Sequence, residues 1–151
     1  MNLMKLQDEI ADDEGIKYEL YLCSEGHLTG GIGHLITEWD TEYYGQPVGT
    51  KVPNEQVNDW FERDINVSIN DCKEIFNNFD DLPEEIQRVL ANMSFQLGRP
   101  TLSKFQNMIA AVRNEDYQEM ANQMEDSRWF RQTPNRAQRL IDRVLTQGIP
   151  H

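Results

Sequence analysis

The chain is poor in cysteine, poor in bases and free of long apolar runs. Only Cys23 and Cys72 occur in 151 residues. Two cysteines are too few for a disulfide scaffold, and nothing spaces them for zinc. No window approaches the roughly 18 consecutive apolar residues of a membrane-spanning helix, so direct membrane insertion is not expected. Met1 to Leu6 run at once into Asp8 and Glu9, without the apolar stretch of a secretory signal. A chain made in a reducing cytosol fits these features. Lysine and arginine number 14 against 26 acids, a net charge of −12. Residues 1–60 hold 12 acids and 3 bases, net −9, and residues 61–151 hold 14 acids and 11 bases, net −3. Such a surface is a poor partner for phosphate backbones, so nucleic acid is not expected as a partner. The local exception is Arg128, Arg131, Arg136, Arg139 and Arg143, which meet a single acid, Asp142, over that stretch.

What remains is ordinary globular material. At 38% hydrophobic and 26% charged residues the composition excludes a disordered or collagenous chain. Leu3, Leu6 and Ile10 recur at helical spacing, and Gly15 supplies a left-handed stop after Glu14. Glu14 then stands at the carbonyl end of that helix, where a negative charge is disfavoured. From Tyr18 to Leu35 the period shortens, and Gly26, Gly30, Gly31 and Gly33 predict a small hairpin or meander. Residues 38–53 read as an irregular connector with Gly45, Pro47, Gly49 and Pro53. A long helix is expected over about 54–76, with Val57, Trp60, Phe61, Ile65, Ile69, Cys72 and Phe76 as one stripe. Pro83 opens the next helix at its first turn, Ile86, Val89, Leu90, Met93 and Leu97 form its apolar face, and Gly98 ends it. Helices are expected over about 102–113, 115–125 and 134–146.

Chemistry concentrates in the glycine-rich half. A carboxyl group at Glu14, a thiol at Cys23 and a hydroxyl at Thr29 lie close in sequence, beside Gly30-Gly31-Ile32-Gly33-His34. By composition alone this is either a set of turn glycines with unrelated polar groups or a cleft with backbone room for a bulky ligand. Only the comparison of this order with a known family favours the second. Eight residues separate Glu14 from Cys23 and five separate Cys23 from Thr29. With Asp13-Glu14-Gly15 and Gly31-Ile32-Gly33-His34-Leu35, this pattern resembles the phage-type lysozymes. Two further blocks carry the same resemblance: Asn92-Met93-Ser94-Phe95-Gln96-Leu97-Gly98, and Ser127 to Ala137 around Trp129, Pro134 and Arg136.

The resemblance implies an α+β, lysozyme-like fold. A small N-terminal α/β lobe with a short antiparallel sheet, about 1–53, would be joined by a linking helix, about 54–76, to an all-helical lobe, about 77–151. The N-terminal helix would pack on the helical lobe. It implies hydrolysis of the β-1,4 bond between N-acetylmuramic acid and N-acetylglucosamine in peptidoglycan glycan strands, without cofactor or metal. Glu14 would be the general acid, which a poor leaving group such as a glycosidic oxygen needs. Cys23 stands where the family has Asp or Cys, and Thr29 would help hold the attacking water. A thiol can serve as a base or as a nucleophile, and base-assisted hydrolysis with inversion is the route the resemblance favours. A nearby anionic Glu14 should raise the Cys23 pKa. Arg136 would pair with the catalytic acid, His34 with Asp64 as a structural pair, and Glu25, Leu35, Phe95 and Gln96 would line the cleft.

A monomeric endolysin follows as the leading expectation. It would wait in the host cytoplasm for a separate membrane pore protein, a holin, and then act on the wall in the periplasm. A virion-carried enzyme that pierces the wall is an alternative, as is a catalytically silent lysozyme-like module that grips the wall. A cysteine peptidase or amidase built on Cys23 and His34 is a further class, disfavoured because His34 is better explained as the structural histidine. The chain departs from the T-even pattern in a shorter connector after His34, in Gly30 after Thr29, in a brief tail after Gln147 and in its acidity.

Overall fold

The computed structural model describes residues 1–147, so the tail after Gln147 lies outside the described residues. Its elements run α1 (Leu3–Glu14), β1 (Lys17–Leu22), β2 (Leu28–Gly31), β3 (His34–Leu35), α2 (Asn54–Ile75), a 3-10 turn (Phe79–Asp81), α3 (Glu84–Leu97), α4 (Arg99–Leu102), α5 (Gln106–Arg113), α6 (Tyr117–Glu125), α7 (Arg128–Gln132) and α8 (Pro134–Gln147). A short antiparallel sheet near the N-terminus with helices elsewhere is the expected α+β class. The chain forms two compact units, Gln7–Val67 on one hand, Met1–Leu6 with Ser68 onward on the other. Their boundaries fall inside α1 and inside α2.

In the Gln7–Val67 unit the sheet has the order β1-β2-β3, antiparallel throughout. Its core is Leu20, Ile32, Ile36, Tyr43, Val52, Val57 and Trp60. Trp60 organises it, stacked on the His34 ring at 4.4 Å and 14° and meeting Tyr43 edge-on at 5.1 Å. The same indole accounts for the glycine after Thr29. A Cβ on Gly30 would stand 3.1 Å from Trp60 Cζ3 and 3.1 Å from Leu20 Cδ2. The connector is less irregular than its composition implies. Leu20 N–H donates to Thr50 O, Gly49 N–H to Leu20 O and Val52 N–H to Tyr18 O, so residues 49–52 cover the free edge of β1.

The second unit is helical in its described residues. Its core joins Cys72, Phe76, Phe79 and the inner faces of α3, α5, α6 and α8 with Trp129. Pro83 precedes α3 as its N-cap rather than standing in its first turn. α3 is also more enclosed than an amphipathic stripe suggests, being buried without interruption from Ile86 to Ser94. Gln87 and Arg88 within it are satisfied locally. Gln87 Nε2 donates to Phe79 O at 3.0 Å and Leu82 O at 3.1 Å, closing the 3-10 turn. Arg88 pairs with Glu84 at 3.2 Å and with Glu85.

The helix expected over 102–113 is instead two. Ser103 Oγ folds back on Arg99 O at 2.7 Å, and the chain turns to bring Phe105 edge-on to Trp129 at 6.5 Å. α6 starts later than expected because Glu115 takes φ 54° and Asp116 then caps the helix, accepting from Glu119 N–H at 3.1 Å. α7 was not anticipated. Ser127 initiates it by accepting from Phe130 N–H at 3.1 Å.

Candidate active site

Glu14 is the last residue of α1, and Gly15 leaves the helix at φ 73° with its N–H on Ala11 O at 2.8 Å. The half-buried Glu14 side chain lies against the turn between β2 and β3. A Cβ on Gly33 would stand 2.6 Å from Glu14 Oε2 and 3.0 Å from its Cδ, and Gly33 also holds φ 63°. Glycine at this position is therefore required twice, by the backbone angle and by the carboxyl that occupies its Cβ space.

The β1–β2 hairpin presents the other two groups. Leu22 pairs with Leu28, and Tyr21 with Thr29. Between them Cys23 N–H donates to His27 O at 2.9 Å, and Gly26 N–H, at φ 81°, donates to Cys23 O at 2.8 Å. This turn wraps polar hydrogens around the partly exposed sulfur. Desolvation raises the Cys23 pKa, but the backbone N–H groups of Glu25 and His27 and the Thr29 hydroxyl lower it, and Glu25's charge opposes them; the net shift is downward. This overturns the expectation of a raised thiol. Hydrogen bonds to the thiolate outweigh like-charge repulsion, and the repelling carboxylate is that of Glu25. Thr29 is buried, and its hydroxyl lies 2.9 Å from His27 O. The same hydroxyl also faces the sulfur, where it favours the thiolate.

Tyr21 is a neighbour that the sequence did not single out. Its phenol pKa is raised, first by burial and then by the charges of Glu14 and of Cys23. Both candidate groups are thus within electrostatic reach of one hydroxyl. The signal was present in its position, two residues before Cys23 in an alternating strand.

His34 Nδ1 lies 2.7 Å from Asp64, and its Nε2 lies 3.1 Å from Asp40, a second partner that the sequence reading missed. Burial lowers the His34 pKa, but hydrogen bonding and charge from Asp64 and then Asp40 raise it overall. With a carboxylate on each ring nitrogen the imidazolium is the favoured form. Glu25 is exposed in the hairpin turn, 3.9 Å from His27, and Leu35 is exposed on β3.

The remaining named residues lie in the helical unit. Arg136 is buried and donates through Nε and Nη2 to Asn92 Oδ1 at 3.1 and 2.8 Å. Gln96 accepts from Trp129 Nε1 at 2.8 Å and donates to Thr133 Oγ1 at 3.3 Å, which ties α3 to α7 and leaves one amide N–H and a carbonyl lone pair. Phe95 beside it is half-buried. Cys72 is fully buried, and its thiol is pushed up to about 12 chiefly by burial, which leaves it inert. Among the described residues no group of His, Cys, Asp and Glu could hold a metal ion, and no helix is long and apolar enough to cross a membrane.

A family model described as phage lysozyme matches residues 11–145. Probable T4-type lysozyme 2 of Dictyostelium discoideum is 31% identical over 157 aligned residues, covering 90% of this chain and 91% of that protein. The pre-baseplate central spike protein Gp5 of Enterobacteria phage T4 is 29% identical, over 97% of this chain and 28% of its own length. Peptidoglycan hydrolase gp36 of Pseudomonas phage phiKMV is 26% identical, over 90% of this chain and 14% of its own length.

Proposed function

Because the chain belongs to the phage lysozyme family, we propose that it is a peptidoglycan muramidase cleaving the β-1,4 bond between N-acetylmuramic acid and N-acetylglucosamine. The observation that carries this reading is the Gln7–Val67 unit. It seats the Glu14 carboxyl against Gly33, and it builds a hydrogen-bonded pocket for the Cys23 sulfur out of the hairpin turn and Thr29. Glu14 donates its proton to the glycosidic oxygen as the bond to the anomeric carbon breaks, and that oxygen leaves as an alcohol. A water held by Thr29 attacks the far face of the sugar, and the Cys23 thiolate takes its proton. The net reaction consumes one water and needs no cofactor or metal. Glu25 and Leu35, exposed in the same unit, contact the strand.

The biological reading is a monomeric endolysin, held in the host cytoplasm and released to the wall through a holin. One observation favours a second role: the match to a phage spike protein over nearly the whole of this chain fits an enzyme carried in the virion to pierce the wall. Detection of this chain in purified particles would assign that role.

The test is mass spectrometry of wall digests. Wild type should generate new reducing sugar ends and no new amino termini. Glu14→Gln should lose at least 99% of activity with its circular dichroism unchanged, since an amide cannot supply the proton. Cys23→Asp should stay active. New amino termini, or lysis by Glu14→Gln above a few per cent, would refute the assignment.

A further inference from the structure

Trp39 is the outlier of the molecular surface. It is 84% exposed, whereas the other two tryptophans, Trp60 and Trp129, are 2% and 3% exposed. Its side chain has little protein packing, yet its backbone is held firmly. Asp40 N–H donates to Thr37 O at 2.9 Å, Thr37 N–H to Asp40 Oδ2 at 2.9 Å and Trp39 N–H to Thr37 Oγ1 at 3.3 Å. Asp40 is in turn fixed to the His34 ring, which stacks on Trp60 in the core. Tyr43, four residues on, is buried against the same Trp60. A turn anchored on both sides thus holds out one bare indole.

The sheet register places this turn near the candidate catalytic groups. Thr29 pairs with Leu35, and Trp39 follows four residues later. At 3.8 Å per residue Trp39 is at most about 15 Å of chain from Leu35, and the Thr37–Asp40 turn shortens that. One glycan strand spans this distance in a few sugars.

We propose that Trp39 is a glycan-stacking platform outside the reacting centre, taking the face of a neutral N-acetylhexosamine ring of the strand being cleaved. This rests on the reading of the protein as a glycan hydrolase. Charge selects the occupant. Glu38 within the turn and Glu42 just after it stand on either side of Trp39, in a stretch of chain of net −9 over residues 1–60. A second copy would bring like charges together, and a nucleobase would bring its phosphate. A neutral sugar meets no repulsion, and its hydroxyls can donate to the flanking carboxylates. The indole supplies a large rigid contact with little conformational entropy to lose.

Because Trp39 alone among the tryptophans is exposed, its fluorescence reports the site directly. N-acetylglucosamine oligomers should protect wild-type fluorescence from acrylamide quenching, and Trp39→Phe should lose the quenchable component. Trp39→Ala should raise the half-saturating wall concentration roughly tenfold, the scale of one aromatic anchor, with Trp39→Tyr recovering most of that. Absence of protection, an unchanged half-saturating concentration in Trp39→Ala, or a protein-concentration-dependent spectral shift without sugar, marking self-association, would each overturn the proposal. Failure of the underlying reading would look different: wild type itself would release no reducing ends.

Discussion

At the residue scale the decisive group is Cys23, whose sulfur is exposed enough to react and surrounded by donors. The expectation of a raised thiol followed from the nearby charge of Glu14. Burial and the Glu25 charge do raise it, but three hydrogen bonds that only the folded hairpin creates outweigh them, and the shift is downward. Its alkylation by iodoacetamide should therefore rise with pH through a midpoint below that of the same thiol in the urea-unfolded chain. Thr29→Val removes one of those donors, so its midpoint should move upward, while Cys72 stays unmodified in the native protein. Identical midpoints in wild type and Thr29→Val would show that the hydroxyl does not serve the thiolate. Glu14 illustrates the complementary case. Its place at the end of α1 was legible from Gly15, but its contact with Gly33, 19 positions away in sequence, was not. A glycine pattern states that a side chain is missing without saying what fills the space.

At the element scale His34 joins three segments, for it sits on β3 and pairs with Asp40 of the connector and Asp64 of α2. Its folded pKa is raised. The pairing therefore contributes fully below the ordinary histidine value of about 6.5, and the contribution is lost as pH rises through the raised value. The urea midpoint of wild type should fall across that window. His34→Asn should lose roughly 1.5–3 kcal/mol near pH 6, the scale of hydrogen bonds to a charged group, and show no fall in that window. Retention of the wild-type slope by His34→Asn would assign it to another group. Strong periodicity made α1, α2, α3 and α8 legible, because most of each apolar stripe is buried, although Leu3 of α1 is exposed and α3 is enclosed beyond its stripe. The elements that escaped are set by single side chains: Ser103 folding onto Arg99, Asp116 and Ser127 capping. The connector escaped because its order comes from backbone pairing with β1, which side-chain composition does not encode.

At the scale of the whole molecule the unusual property is charge. A net charge of −12, with −9 carried by residues 1–60, opposes approach to a wall whose stem peptides and attached polymers are anionic. Salt shortens that repulsion, since the Debye length falls from about 30 Å at 0.01 M to about 8 Å at 0.15 M. The exposed Arg128 and Arg131 of α7 act in the opposite sense at short range, where screening matters least. Long-range repulsion and short-range attraction together predict a lysis rate that rises from low to physiological ionic strength, where a basic lysozyme would slow. Changing the exposed Glu42, Glu55 and Asp59 to their amides should raise the rate at low salt and flatten the rise, without touching the His34 pairing or the hairpin. The measurement is initial turbidity loss of outer-membrane-stripped bacteria against added salt, for wild type and the triple variant. A wild-type rate that falls monotonically with salt would place the arginines, not the acidic half, in control of wall approach, and matching profiles for the two proteins would remove these three acids from the effect.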